Sequence, residues 1–265
     1  MNSWLYLVFF SLRRQLRPRR LVVALILFLV LAVLVGTRGL IDPWKIKSFG
    51  RWIIELPFCR FFLPIITLTL GTAVIGDDRE DKTLVYLSIR PISRWSLYLA
   101  KLLGALPLAL GISLGAVFGL CAVASACGGL QPSSPFHGAD PLPLSEVFWM
   151  FLPTIALGTF AYLAFFGWLG AVFRNATLIG VAHVFLVEFF MGQVPGVLKR
   201  ISISFYVRCM LYDTGSEHGF KPPRNPPSFL PVEGDEAATS LLVVGVGFML
   251  LGMYWFSRRE YRDLT

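Results

Sequence analysis

The chain has 265 residues, 55% of them apolar and only 15% charged, with a mean hydropathy of +0.67. Soluble domains carry about 25% charged residues, so this composition excludes an ordinary soluble enzyme and points to a bilayer, where each spanning helix needs about 20 mostly apolar residues. The net charge of +8 is no nucleic-acid footprint, because the Lys and Arg residues edge the apolar runs and no basic, aromatic-interleaved soluble module exists.

Met1 to Leu16 reads as an interfacial helix, with Leu5, Val8, Phe9, Leu12 and Leu16 on one face and Arg13, Arg14 and Arg17 placed to meet phosphates. Its basic cluster follows the apolar residues, and no small-x-small site follows Val35, so a retained helix is expected instead of a cleaved signal. Six apolar spans are then expected: Leu21 to Gly36, Phe61 to Gly76, Trp95 to Cys127, Val147 to Phe173, Ala176 to Leu198 and Thr239 to Phe256. Trp52 to Arg60, with Glu55 and Pro57, is an irregular approach to the second span, and Pro107 lies inside the third. Between the last two spans, Ile201 to Tyr212 suits an interfacial or re-entrant helix. Pro222, Pro223, Pro226, Pro227 and Pro231 mark an extended loop. The expected fold is an all-α integral membrane protein of six transmembrane helices plus the interfacial helix, forming one membrane domain over residues 1–265.

Basic residues set the orientation. With the N-terminus inside, 14 of the 24 Lys and Arg fall on the cytoplasmic side, and the loop between spans three and four has none. Both termini are therefore expected in the cytoplasm, with the chain in the plasma (inner) membrane. Cys59, Cys121, Cys127 and Cys209 show no CxxC or metal spacing; with Cys59, Cys127 and Cys209 at the outer side, one disulfide among them stays open. His137, His183 and His218 are not in ligand spacing, and no metal or cofactor site is expected in this chain.

Two features inside the spans stand out. Gly111, Gly115 and Gly119 repeat at four-residue spacing, which makes a groove for close helix packing within the subunit or across a dimer. Glu188 lies near the middle of span five, where a charged carboxylate costs about 2.5–3.5 kcal/mol on insertion scales. It should face protein or a water-filled pathway, as a structural, gating or proton-coupling group. His183, five residues earlier, is roughly 140° away on an α-helix, so the two are not expected to share a face.

The inner loop from Gly76 to Leu103, GDDREDKTLVYLSIRPISRWSLYLAKLL, supports three readings. Gly76 to Thr83 nearly spells a phosphate-binding loop, but Asp81 stands at the second glycine position, where a carboxylate repels phosphate, and no strand precedes it. Asp77, Asp78 and Asp81 match an aspartate-rich magnesium-diphosphate motif, but such enzymes need a second acidic cluster, and Arg79 and Lys82 offer charge compensation nearby. The third reading is a short docking helix over Thr83 to Ile89, stopped by Pro91, with Ser93 as a cap for the next span.

An acidic residue, Thr-Leu, an apolar turn, Pro-Ile-Ser-Arg and a lysine in the next span make up that third reading. Here they are Glu80, Thr83, Leu84, Pro91, Ile92, Ser93, Arg94 and Lys101. The stretch resembles the ABC type-2 transporter permeases, and the short Arg174-Asn175 turn is similar to theirs too. Lys82 departs from the family's usual glycine before that threonine. The resemblance implies a permease that pairs with a second copy or a paralogue and seats this loop on a separate ATP-binding-cassette ATPase subunit, which holds the ATP and magnesium. It further implies outward movement of a substrate, with Glu80, Thr83, Leu84, Pro91 and Arg94 at the coupling contact. A secondary transporter built around Glu188 is the rival, but it would show internal repeats and broken helices, and no repeat is found. A membrane-embedded transferase using Asp77, Asp78 and Asp81 is the other. HExxH and G-x-S-x-G are both absent.

Overall fold

A bilayer offers the backbone no outside hydrogen-bond partner, and this chain meets that constraint almost wholly with helices. The computed structural model describes residues 3–41, 44–45, 49–80, 93–127, 130–131, 142–190, 197–216, 220 and 231–258. Helix α1, Ser3–Gln15, is the expected interfacial helix. Pro18, which has no N–H to leave unpaired in a first turn, opens α2, Pro18–Ile41. The irregular approach is a π-helix, π1, Gly50–Phe62, which runs without a break into α3, Leu63–Glu80. Pro57 lies within it, so one amide donor is missing where the chain takes the wider i→i+5 pattern.

Helix α4, Arg94–Ala126, keeps Pro107 in its interior, and α5, Leu144–Val172, does the same with Pro153. Ser93 occupies the N-cap of α4 with extended backbone, but its hydroxyl makes no capping bond. Helix α6, Ala176–His183, passes into a second π segment, π2, Val184–Phe190. After a 3-10 turn, Val197–Ile201, come α7, Ile203–Thr214, and the long α8, Gly234–Arg258. Strands β1, Trp44–Lys45, and β2, Leu130–Gln131, pair in parallel over two residues each.

Among the described residues, five stretches are long and apolar enough to cross a membrane: Arg20–Leu40, Gly50–Arg79, Arg94–Ala126, Leu144–Val172 and Gly234–Arg258. The sixth apolar helix, α6 with π2, is shorter. Its eight plus seven residues reach about 22 Å at α-helical rise, against a hydrocarbon core of about 30 Å. The described helix of the span expected to run to Leu198 reaches Phe190, and residues 191–196 fall outside the described part.

Helix α5 is the axis of the bundle, packed on α3, α4 and α8. Its seam with α3 is close. A Cβ on Gly71 would meet the Phe166 Cβ at 2.7 Å, and one on Gly170 would meet the Thr72 carbonyl oxygen at 2.8 Å. Peripheral α2 and α8 turn Leu25, Ile26, Val30 and Val33, and Val243 and Leu250, outward as a lipid-facing surface. The glycine stripe expected to form a groove divides. Gly119 packs closely on Phe28 of α2, whereas Gly111 and Gly115 have open space where a Cβ would stand. All four cysteines are free thiols.

Candidate functional site

Charged groups collect at the two ends of the long π1–α3 helix. At its C-terminal end Asp77 and Asp78 face α1. Asp78, almost fully buried, is paired with both Arg14 of α1 and Lys101 of α4. Asp77 holds Arg20 Nη2 at 2.5 Å and Arg17 Nη1 at 3.5 Å. Arg20 also donates to Gln15 Oε1 at 3.0 Å, and Ser11 Oγ donates to the Lys101 carbonyl at 3.3 Å. Four helices, α1, α2, α3 and α4, are therefore joined through two carboxylates.

Cations distant in sequence pair with these aspartates among the described residues. Arg79 donates to the Phe173 carbonyl at 2.8 Å, at the end of α5, and Lys82 and Asp81 lie outside the described residues. Arg14 and Arg20 come instead from 64 and 57 residues upstream. With this compensation, Asp77 and Asp78 do not stand as open magnesium ligands.

At the opposite end, α7 is held by two carboxylates contributed by the two π segments. Glu188 of π2 is fully buried. It accepts Ser202 Oγ at 2.6 Å, the Ser204 N–H at 2.9 Å and the Ile203 N–H at 3.2 Å. Ser202 is the N-cap residue of α7 but makes no cap bond of its own, so Glu188 supplies the cap from another helix, where the macrodipole favours an anion. Ser202 and Ser204 share a further hydroxyl hydrogen bond of 2.7 Å.

His183 stands with Nε2 3.5 Å from Glu188 Oε1. The expectation that five residues would part these side chains assumed α-helical rotation. The i→i+5 pattern of π2 brings them over one another. Among the described residues, neither that Nε2 nor the buried Tyr162 hydroxyl of α5 has a partner at full hydrogen-bond geometry.

Glu55 of π1 holds the other half of α7. It accepts Arg208 Nε and Nη2, both at 2.7 Å, and the Tyr212 hydroxyl, with Arg60 Nη2 at 3.7 Å. All four side chains are buried. Burial first, then the Glu55 charge, push the Tyr212 phenol above its usual range, so it donates as a neutral hydroxyl.

A family model described as ABC-2 family transporter protein matches residues 41–261. The chain belongs to that family. It is thus a multi-pass, all-helical membrane subunit of an ATP-binding-cassette transport system, and a transport component instead of a catalyst. A search of curated proteins finds no relative that matches. Of the coupling residues expected in an ABC-2 permease, Arg94 opens α4 as an exposed residue and Glu80 closes α3. Thr83, Leu84 and Pro91 lie outside the described residues, as does the side chain of Glu80.

Sequence reasoning singled out Glu188 but missed Glu55, Arg208, Tyr212 and Arg14 as partners. One signal was available: Glu55 and Arg208 are opposite charges, each set in an apolar neighbourhood that penalises an unpaired ion.

Proposed function

We propose that this chain is one permease domain that pairs with a separate ATPase subunit and with a second permease copy to move a substrate outward across the plasma (inner) membrane. In this reading the α1 end faces the cytoplasm with both termini. The segment between α3 and α4 docks on the ATPase through Glu80, Thr83, Leu84, Pro91 and Arg94. ATP and magnesium sit in the partner.

The observation that carries the reading is the junction at Asp78. The inner loop leaves α3 two residues after it and re-enters α4 seven residues before Lys101, and Asp78 pairs with Lys101 and Arg14 together. A push on a loop so mounted moves α3, α4 and α1 as one lever instead of bending a free hairpin. Glu188 serves in this reading as an anchor for α7, because its carboxylate is already occupied by three donors. That leaves the ion-coupled alternative with less to work on. The compensation of Asp77 and Asp78 weighs against a transferase in the same way.

The test is affinity purification of the tagged chain from native membranes with mass spectrometry of what accompanies it. A stoichiometric ATP-binding-cassette ATPase, lost when Leu84→Ala and Arg94→Ala are combined, is the expected result. A homodimer without any ATPase would sink the reading.

A further inference from the structure

At the end of the bundle away from α1, the end of α2 and the start of π1 meet around one indole. Trp52 of π1 is half exposed, and two guanidiniums lie over its ring, Arg38 of α2 and Arg51 of π1, each 5.9 Å from the ring centroid. Both arginines are exposed, and among the described residues no carboxylate pairs with either. Glu55, further along π1, is buried and taken up by Arg208 and Tyr212. Two like charges are therefore gathered on one ring without an acid between them. The stripe of α2 that leads to them is apolar and open: Val30, Val33 and Leu34 stand exposed on the turns before Thr37 and Arg38. From Val30 to Arg38 the helix rises about 12 Å, close to half the thickness of a hydrocarbon core, about 15 Å.

Single arginines and tryptophans at helix ends are ordinary interface residues, and a scattered pair of arginines would turn to water separately. Here guanidiniums from two helices converge on one ring at the head of an apolar stripe. Converging like charges favour a shared anion, and the planar fork of a guanidinium matches phosphate oxygens. Charge and stripe together fit an amphiphile with an anionic head. We propose that Arg38, Trp52 and Arg51 form a headgroup site for an anionic phospholipid, its phosphate held by the two guanidiniums and an acyl chain lying along Val33 and Val30. A lipid so placed ties α2, a peripheral helix, to the start of π1 and steadies the end of π1–α3 that carries Glu55. The orientation proposed above makes the leaflet the outer one. Binding does not rest on that orientation, so the two can fail separately.

The experiment puts a photoreactive benzoylphenylalanine in place of Thr37, beside the cluster, in the full chain reconstituted into vesicles of equal phosphatidylglycerol and phosphatidylcholine with identical acyl chains. Mass spectrometry of the adducts reads which lipid stood there. Phosphatidylglycerol adducts are expected in excess at this position, whereas the same probe in place of the outward-facing Val243 of α8 should read the bulk ratio. Arg38→Gln and Arg51→Gln are each expected to lower the excess about fivefold, the effect of one basic residue at an anionic surface. Trp52→Leu, which removes the ring and no charge, should lower it too, and Arg38→Lys, which keeps the charge, should keep most of it. Arg13→Gln, exposed on α1 at the other end of the bundle, should leave it unchanged. Size-exclusion profiles identify any variant that fails to fold. Equal ratios at the two probe positions overturn the proposal, and so does an excess that survives Arg38→Gln and Arg51→Gln combined. An excess abolished by inorganic phosphate would assign the site to a free anion instead, and a protein adduct in place of a lipid one would assign it to a covering subunit.

Discussion

The α1 end and the α7 end both join helices through two carboxylates, yet they are built on opposite physical terms. At the α1 end two aspartates share four cations, and the outer members are wet: Arg17 is 42% exposed and Arg14 is 23% exposed. At the α7 end Glu188 and Glu55 are 0% and 3% exposed, and their partners are buried with them. Solvated pairs are worth little each and can exchange partners, whereas a buried pair is costly to break because one charge is left without compensation. The difference teaches that the two ends suit different tasks. The α1 end can rearrange under a modest force, as a junction with a moving partner must. The α7 end holds one short helix in one place.

The largest expected effect comes from breaking the dry end. Arg208→Ala leaves Glu55 buried without its bidentate partner, which is expected to destabilise the chain by about 3–5 kcal/mol. The lower part of that range is favoured, because Arg60, 3.7 Å away, can close in. Thermal unfolding in detergent, followed by labelling of the buried Cys59, Cys121 and Cys209 thiols, measures it directly. The double change Glu55→Gln with Arg208→Met should recover much of the loss. If Arg208→Ala costs no more than a change at the α1 end, the contrast drawn above is wrong.

Next in size is Glu188→Gln. The amide keeps an acceptor for part of the Ser202, Ile203 and Ser204 set but removes the negative charge at the start of α7, which is expected to cost about 1–2 kcal/mol. Transport by this variant should keep the pH profile of the unaltered protein. A profile that flattens would make Glu188 a proton carrier and would turn the α7 end from a fixed clamp into a working part.

Hydropathy alone located all six apolar helices, because a run such as Leu21 to Gly36 has no other use in a chain of this composition. Rotation was beyond its reach. His183 and Glu188 were assigned to different faces because an α-helical period was assumed, and nothing local announces that Val184–Phe190 takes the wider π turn. Pro57 gave a partial signal for π1, since a missing donor inside an apolar run needs some irregular answer. The aspartates were matched to the nearest cations in sequence, Arg79 and Lys82. Their partners on α1 and α2 follow from tertiary packing, which one sequence does not encode as a local pattern. The glycine seam between α3 and α5 shows the same limit. Gly71, Gly167 and Gly170 have no regular spacing across two helices, so they drew no notice beside the regular Gly111, Gly115 and Gly119.

Asp78→Asn tests the wet end. It leaves Arg14 and Lys101 near a neutral amide; Asp78 is itself only 2% exposed, but Asp77 beside it and water at Arg14 hold the expected loss to about 1–2 kcal/mol in the same unfolding assay. Its larger consequence is expected in coupling. ATPase stimulation by the permease should fall while the ATPase still copurifies, because the loop would be intact but its mounting loosened. Loss of copurification would place Asp78 in the contact itself.

The smallest effects come from the glycines of α4, where a sign has to be decided. Gly119→Ala puts a methyl 2.7 Å from the far edge of the Phe28 ring, which must shift, so it should destabilise by about 1 kcal/mol. Gly115→Ala meets nothing within 4 Å in the single chain, so helix propensity alone should make it neutral to stabilising by up to about 1 kcal/mol. That expectation holds for a protomer whose Gly111 and Gly115 face lipid. If the same face packs against a second permease copy, the added methyl would instead separate two backbones that need close approach. Dimer content by cross-linking in membranes separates the cases: stabilised and unchanged in assembly for a lipid-facing glycine, weakened in assembly for an interface. A drop in dimer with Gly115→Ala but not with a change on α8, such as Val243→Ala, would put the second copy on α4 and give the regular glycine stripe the role that the single chain does not use.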